Sequence, residues 1–399
     1  MEQPKIVMYK GQSQYDVLRH FVDQLGMGFK DFDYDVCIID LLEMETSIEQ
    51  LNQVLIDQKN IVFFCSFNGV GMELTLDNGQ KIHEAIGVPF FSIYVDHPIY
   101  HTSRILAQQQ DRKANLNVMS FVDPRHSEFA AKQFSSHSMK MFLPHASYNI
   151  EDSVMNVPFK QRTIDIVVSG SYTDPEVTMA KWKEELSPFV YGVLNEVIEI
   201  SEAFPKYAIF DCWEYWTKQR GIELDALGSD RAFYYVQEVD RFLRQSFRHK
   251  LVDSLAGCNL HVCGDGWEQY KSDTVTLIHH GACSYQKMRE IMGNSKIVLN
   301  AFPTYNQWSH ERVFDACALG AVALTQSNPY WHEVFKHEHS ILMFEEPDEL
   351  KELIQTQLMQ GHNLEEIAQH GYEVVKSQHQ WRNRASQVLE AVFLAFNFA

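Results

Sequence analysis

The sequence predicts an α/β protein with two doubly wound domains, each built on a parallel sheet with helices on both faces. Three observations lead to this prediction. Apolar, β-rich runs alternate with runs of helical period from Lys5 to the helix that begins at Pro124, and again from Asn259 to Ile354. Most of the apolar runs end in a glycine or a polar turn. The chain has 399 residues, which is enough for two domains of ordinary size.

The first domain, predicted over residues 1–150, has the most regular alternation. Strands are predicted at 5–11, 36–42, 60–69, 88–98 and 117–123, and helices at 15–25, 47–57, 76–87 and from Pro124. Such an alternation implies parallel strands joined by helical crossovers. The pattern lapses over residues 141–163, where prolines, polar residues and charges predict a linker.

The second domain is predicted over residues 151–375 and contains a helical insertion at 176–256, where long charged runs have helical patterns. Ser284 is placed to cap the helix that starts at Tyr285. A last helix is predicted over 376–399. The strand-to-loop or strand-to-helix units of this domain are predicted at 163–175, 259–267, 274–281 and 341–354.

The stretch from Lys296 to Pro329 is the most informative part of the chain. It is predicted to contain a strand at 296–302, a polar loop at 303–309, a helix at 311–319 that Gly320 ends, and a strand at 321–325. A right-handed crossover makes two such strands parallel, and their carboxyl ends form the ligand edge. His310, Glu311 and Arg312 come at that edge. A helix N-terminus beside a cation favours a phosphate group.

Five loops of the second domain follow predicted strands and are expected to meet at the same edge. They span residues 169–175, 264–268, 280–284, 303–309 and 325–329. The glycines at 170, 264, 266 and 281 let backbone amides approach a ligand closely, although one glycine after a strand is often only a turn residue. Together the loops predict a crevice for a nucleotide or a phosphate.

Three side chains near this edge have two interpretations each. Trp267 and Tyr285 would flank a base or a sugar, or would pack in the core. Asp315 lies one turn after Glu311 and would accept hydrogen bonds from ribose hydroxyls, or would be a helix-surface charge beside Arg312.

In the first domain, Asp96 and His97 end an apolar strand. Either side chain would serve as a general base or would orient a substrate, and the alternative is a turn-capping aspartate with a bystander histidine. Gly11 and Asn68-Gly69 end other strands at the same edge and would admit an acceptor. The sequence has no GxGxxG, P-loop or GxSxG motif, so a standard dinucleotide site is not predicted.

The bulk composition excludes several classes of partner. A formal net charge of −19 argues against nucleic acid or an anionic membrane as the main partner, because both require positive potential. No apolar run is long enough for a membrane span, and no secretory segment is predicted at the N-terminus. Seven scattered cysteines predict reduced thiols in a cytoplasmic protein. The histidines of 332–339 and the acidic run 31–35 are not predicted to bind metal.

The carboxyl-terminal motifs resemble those of a known family. HVCGDGW, HHGACSYQKMREIMGNSKIVLN and HERVFDACALGAVALTQSNP closely resemble the carboxyl half of the CgeB-like (spore-maturation-protein-B-like) group 1 glycosyltransferases. FSIYVDHP, MFLPHA and DIVVSGSY resemble the N-terminal domain often paired with that half. The resemblance covers most of residues 60–385 and is strongest over 259–329.

The resemblance implies a GT-B fold, in which two Rossmann-like domains face a cleft, a nucleotide-sugar donor binds mainly to the second domain, and the acceptor enters from the first. The last helix would cross back to the first domain. The family needs no bound metal or other cofactor, because positive side chains and helix dipoles stabilise the leaving diphosphate.

By the same resemblance, Arg312 would contact the diphosphate and Asp315 the ribose, where relatives often have glutamate. The catalytic candidates are therefore Asp96, His97 and Arg312. The donor-binding candidates are Gly170, Ser171, Gly264, Gly266, Trp267, Tyr285, Asn300, His310, Glu311, Arg312 and Asp315. Retaining relatives often pair an arginine with a lysine, and no matching lysine is evident, so the stereochemistry stays open.

The leading hypothesis is thus a glycosyltransferase that moves a sugar from a nucleotide sugar to an unidentified protein or glycan. A non-catalytic nucleotide- or glycan-binding module of the same fold is the first alternative. A nucleotide-sugar epimerase or a phosphorylase with two such domains is the second. The sugar, the base, the acceptor and the oligomeric state are not indicated by any motif.

Overall fold

The computed structural model describes residues 3–109, 113–134, 138–150, 157–222, 229–301, 307–359 and 362–396. The chain divides into two compact units. Unit 1 comprises Met1–Val154, Trp308–Ala318 and Val375–Ala399, and unit 2 comprises Met155–Gln307 and Leu319–Val374. Each unit contains one six-stranded sheet, and every strand pair in both sheets is parallel.

The sheet of unit 1 has the strand order β2-β1-β3-β4-β5-β6. Its strands are β1 (Lys5–Lys10), β2 (Asp35–Asp40), β3 (Ile61–Phe67), β4 (Phe90–Tyr94), β5 (Asn117–Phe121) and β6 (Met139–Phe142). Strands β4 and β5 are buried along their whole length, as expected for parallel strands covered on both faces.

Helices surround this sheet on the same unit. They are α1 (Val17–Lys30), α2 (Met44–Ile56), α3 (Ile82–Ile86), α4 (Thr102–Gln109), α5 (Pro124–Gln133), α11 (Glu311–Ala318) and α15 (Trp381–Phe396). Helix α15 packs on α1, where a Cβ on Gly28 would lie 2.7 Å from the Arg382 Cα atom. The Trp381 ring lies 4.8 Å from the Phe21 ring and 5.2 Å from the Phe67 ring, so the last helix completes the aromatic core of unit 1.

The sheet of unit 2 has the strand order β12-β11-β10-β7-β8-β9. Its strands are β7 (Ile164–Ser169), β8 (Asn259–Cys263), β9 (Thr276–His279), β10 (Ser295–Asn300), β11 (Val322–Gln326) and β12 (Leu342–Phe344). The chain winds outward from β7 in one direction and from β10 in the other. The topological switch point therefore lies between β7 and β10, where open α/β sheets bind their ligands.

The helices of unit 2 include the predicted insertion. They are α6 (Pro175–Glu185), α7 (Pro188–Ala203), α8 (Ile209–Gln219), α9 (Ser229–Asp253), α10 (Tyr285–Gly293), α12 (Pro329–Val334), α13 (Leu350–Met359) and α14 (His362–Gln378), whose last turn, from Val375, belongs to unit 1. Helix α10 begins at the predicted cap, since the Ser284 hydroxyl accepts a hydrogen bond from the Lys287 amide at 3.3 Å. No helix among the described residues is long and apolar enough to cross a membrane.

The predicted α/β fold class, with two Rossmann-like parallel sheets, is confirmed. Strand β6 lies where a linker was predicted to begin. It was not predicted because its four residues are too few to produce a clear pattern. Helices α4 and α12 were not predicted either. Residues 151–156 of the predicted linker, 223–228 of the insertion and 302–306 of the strand and loop before α11 lie outside the described residues.

Helix α11 groups with unit 1 by its contacts, although the strands it connects, β10 and β11, are neighbours in the sheet of unit 2. The predicted second domain, 151–375, included this helix. Gly320 follows it with φ +67°, which agrees with the predicted end of the helix.

Candidate functional site

The loops that follow β7 and β8 are in close contact at the carboxyl edge of the second sheet. Gly264 has φ +132°, and a Cβ there would lie 2.6 Å from the Gly170 carbonyl. Gly266 has φ +84°, and a Cβ there would lie 2.1 Å from the Tyr172 carbonyl oxygen. Both glycines are therefore required by contact between two loops, which is a different reason from the predicted approach to a ligand.

Trp267 is a core residue of unit 2. Its side chain is 1 % exposed and its ring stacks 5.1 Å from that of Tyr172. The indole Nε1–H donates to the Gly170 carbonyl at 2.8 Å. Of the two interpretations of Trp267, the arrangement favours core packing, with the indole holding the loop after β7 in place.

Tyr285 and Asn300 are also buried at this edge. Tyr285 is 1 % exposed and begins α10. Asn300 is 4 % exposed, ends β10, and donates from Nδ2 to the Thr325 hydroxyl at 3.1 Å. Its Oδ1 atom is buried without a hydrogen-bond partner among the described residues. Asn300 is thus fixed between β10 and β11 and keeps one unused acceptor.

A pocket of about 530 Å³ opens between the turns that follow β8 and β9. The residues around it are Gly264, Trp267, Glu268, Tyr270, Lys271, His279 and Gly281. Its volume is in the usual range for a small-molecule site. The predicted crevice loops 264–268 and 280–284 therefore border a real concavity on unit 2.

In unit 1, the residues before α11 are held by His145, which the sequence did not single out. The His145 amide donates to the Ser309 hydroxyl at 2.8 Å, and Nδ1 lies 2.9 Å from the Ser309 carbonyl oxygen. A carbonyl oxygen only accepts, so Nδ1 carries the proton and donates. Burial lowers the pKa of His145 to about 4, although Glu311 opposes the shift, so the ring is neutral.

His310 and Glu311 form a buried pair at the start of α11. The His310 Nδ1 atom lies 2.8 Å from Glu311 Oε2 and 3.2 Å from the Arg312 amide nitrogen. We assign the proton to Nδ1 because the shorter contact is to a carboxylate, which only accepts. Burial raises the pKa of Glu311, but the interaction with His310, which includes a hydrogen bond, and the charge of Arg312 outweigh burial and hold that pKa well below its usual range. Glu311 is therefore anionic and is engaged by His310.

Arg312 is the predicted diphosphate contact. Its Nε and Nη1 atoms are buried and have no hydrogen-bond partner among the described residues. Burial lowers its pKa, while Glu311 and Asp315 raise it. A guanidinium remains charged in proteins, so Arg312 presents a cation with unused donors. Asp315 is 1 % exposed, so it is not a helix-surface charge.

Asp96 and His97 lie directly after β4 and differ in exposure. The Asp96 side chain is 44 % exposed, with Oδ2 3.8 Å from His101 Nε2. His97 is 1 % exposed, and its Nδ1 accepts from the Ile99 amide at 3.1 Å. With Nδ1 occupied as an acceptor, neutral His97 carries its proton on Nε2 and has no free lone pair for a substrate proton. Asp96 is the better placed of the two to act as a base.

Residues 244–390 match a family described as glycosyl transferase-like. No curated protein sequence matches the chain significantly.

Solved structures with similar folds span the whole chain. Sucrose-phosphate synthase from Thermosynechococcus elongatus has 10 % identity and a TM-score of 0.52, with 100 % of both chains covered. An alpha-glucosyltransferase in complex with UDP-glucose and DNA has 10 % identity and a TM-score of 0.53, covering 97 % of this chain and 99 % of its own. A DNA-modifying beta-glucosyltransferase has 12 % identity and a TM-score of 0.52, covering 98 % of this chain and 99 % of its own.

At these identities the structural matches establish the fold. The sequence match covers the end of α9, the loops after β8 and β9, and α11. Both findings agree with the predicted enzyme class. Residues 244–390 are therefore similar to a glycosyl transferase-like domain, within a chain that has the GT-B fold.

Proposed function

We propose that this protein is a metal-independent glycosyltransferase that moves a sugar from a nucleotide sugar to a protein or glycan acceptor. The observation that carries the proposal is the pocket bordered by Gly264 and Gly281, which opens at the ligand edge of the second sheet and lies inside the glycosyl transferase-like region. Such an edge is where parallel α/β sheets hold nucleotides. UDP-glucose is the first donor to test, because a similar fold was solved with it.

The proposed roles follow from charge and exposure. Arg312 contacts the donor diphosphate with its unused Nε and Nη1 donors and stabilises the charge that develops when the sugar leaves. Asp315 accepts hydrogen bonds from the ribose. Glu311, engaged by His310, does not compete for the guanidinium by a direct hydrogen bond.

Asp96 is the proposed general base. A carboxylate at the carboxyl end of β4, with 44 % of its side chain exposed, is accessible to an acceptor hydroxyl. Removing the hydroxyl proton as the oxygen attacks the anomeric carbon inverts that carbon in one displacement. The stereochemistry of the product therefore reports on this role.

A non-catalytic binding module is the second candidate function, and one observation favours it. His97 is buried with Nδ1 already accepting a hydrogen bond, so one of the two candidate bases has no free lone pair. A chain that binds a nucleotide sugar but has no working base would behave as a donor-binding protein.

One experiment separates these functions. Purified protein is screened by thermal shift against nucleoside diphosphates and their sugars, and then incubated with each stabilising sugar donor and cell lysate. Mass spectrometry is expected to detect an acceptor whose mass has increased by one sugar. Stabilisation without transfer or hydrolysis supports the binding module, and the absence of stabilisation by every nucleotide contradicts both functions.

A further inference from the structure

Arg248, near the end of α9, links the loop after β7 to the end of β10 at the switch point of the second sheet. Its Nη1 atom donates to the Ser171 carbonyl in the loop after β7, and Nη2 lies 3.5 Å from the Ala301 carbonyl just after β10. Strands β7 and β10 are hydrogen-bonded neighbours. One partly buried cation therefore contacts both chain segments that border the switch point.

The carbonyl groups of the loop after β7 are engaged by side-chain donors. Trp267 donates to Gly170 at 2.8 Å, and Arg248 donates to Ser171. Free carbonyl oxygens at a phosphate site would repel the anion, because each carries partial negative charge. Trp267 engages one carbonyl with a neutral donor, whereas Arg248 engages the next and adds a full positive charge.

Neighbouring contacts hold Arg248 in this position. The next residue on α9, His249, has Nδ1 2.7 Å from the Tyr172 hydroxyl and Nε2 3.2 Å from Asp253 Oδ2. The Tyr270 hydroxyl donates to Asp253 Oδ1 at 2.6 Å. The end of α9 is thus tied to the loops after both β7 and β8, which fixes the direction from which Arg248 reaches the switch point.

We propose that Arg248 is a positioning residue of the donor site, which holds the loop after β7 and Ala301 at the end of β10 and supplies a positive charge for the donor diphosphate. The inference rests on the proposed nucleotide-sugar function and adds a cation that no sequence motif indicated. A planar guanidinium suits this role because its donors reach two carbonyls at once while its charge persists.

The test compares Arg248→Met with Arg241→Met. Arg241 lies two turns earlier on α9, is 48 % exposed and pairs with Glu238, so its variant removes the same charge from the same helix away from the loops. Calorimetry measures the affinities for a nucleoside diphosphate and for its monophosphate. The pair is UDP and UMP, unless the GDP and GMP pair or the ADP and AMP pair binds more tightly. Arg248→Met is expected to reduce the diphosphate-over-monophosphate affinity ratio at least tenfold, and Arg241→Met to change it less than twofold.

The diphosphate-over-monophosphate affinity ratio also distinguishes an effect of the Arg248 charge from a general effect on the fold. Arg248→Lys keeps the charge and is expected to recover part of the ratio. If Arg248→Met lowers both affinities equally or leaves both unchanged, the proposed role is wrong while nucleotide binding stands. If the unaltered protein binds none of the three diphosphates, the proposed function itself fails and this role fails with it.

Discussion

His145 donates two hydrogen bonds to Ser309, although the two residues lie 164 positions apart in the chain. The His145 amide donates to the Ser309 hydroxyl at 2.8 Å, and the His145 ring donates to the Ser309 carbonyl at 2.9 Å. Both residues are at most 2 % exposed. This pair fixes the backbone immediately before α11, and hence the residues from His310 to Arg312.

Ser309→Ala is therefore expected to destabilise the protein by about 1–3 kcal/mol, because the buried His145 amide loses its acceptor. Unfolding in urea, followed by circular dichroism, measures the change. Ser327→Ala is a suitable control, since the Ser327 hydroxyl bonds to His332 at the surface. Equal stability of the two variants would contradict the importance of the His145–Ser309 pair.

Arg312→Ala is expected to weaken nucleoside diphosphate binding by at least about 1.5 kcal/mol, as for a charge-assisted hydrogen bond. Calorimetry with the best-binding diphosphate measures the loss. Arg382→Ala is the control, because Arg382 is 42 % exposed and lies at the start of α15. An unchanged affinity for Arg312→Ala removes this residue from the donor site.

Asp96→Asn is expected to lower the turnover number about 100-fold or more while donor affinity changes little, because the amide cannot accept the acceptor proton. His97→Gln is expected to have a smaller effect, since His97 already accepts a backbone hydrogen bond. Initial rates and donor binding are measured for both variants. If His97→Gln is the slower enzyme, the assignment of the base to Asp96 is incorrect.

Gly266→Ala and Gly281→Ala form a matched pair of loop variants. Both glycines have positive φ, +84° and +67°, so the backbone cost of alanine is similar, about 1 kcal/mol. A Cβ on Gly266 would also lie 2.1 Å from the Tyr172 oxygen, whereas a Cβ on Gly281 meets nothing within 4 Å. Gly266→Ala is expected to have the lower thermal midpoint and the weaker nucleotide binding. Equal midpoints would show that the loop after β7 moves aside freely.

Acid is expected to destabilise the protein between about pH 6.5 and pH 4. Burial lowers the pKa of His145 to about 4 and that of His83 to about 3, from an ordinary value of 6.5. The unfolded chain takes up these protons first as the pH falls, so stability is unaffected above pH 6.5 and is lost below it. Within this window, each such histidine lowers the free energy of unfolding by about 1.4 kcal/mol for each pH unit of acidification.

His83→Phe tests the sign and the size of this effect. The His83 ring lies 5.2 Å from the Phe90 ring. Phenylalanine at position 83 keeps an aromatic contact there and removes the titrating group. The free energy of unfolding, measured from pH 7.5 to 4.5, is expected to fall less steeply for the variant than for the unaltered chain. Parallel curves would mean that His83 does not remain neutral in the folded protein.

The alternation of strands and helices was predictable because most strands are buried on both faces and several helices have caps or glycine ends. Ser284 and Gly320 are examples in which one residue marks a boundary correctly. Strand β6 was missed because four residues, MKMF, give too short a pattern. A strand of this length is defined by its neighbour β5, which is tertiary information.

The candidate site was less predictable than the fold. Gly266 was predicted to let backbone amides approach a ligand, whereas a Cβ there would meet the Tyr172 carbonyl, and no pattern in the sequence specifies that contact. His145 and Arg248 were missed because their partners are distant in the chain, at Ser309, Ser171 and Ala301. Buried polar pairs of this kind have no periodicity, whereas strands and helices do.

Unit 1 is assembled from three separate parts of the chain, and the last of them begins at Val375. During synthesis, the first 150 residues emerge long before the helix whose Trp381 covers Phe21 and Phe67. Until Trp381–Phe396 has been synthesised, this nascent half-domain has an open aromatic face that chaperones would have to shield. A fragment ending at residue 150 would keep the same defect permanently and would be prone to aggregate.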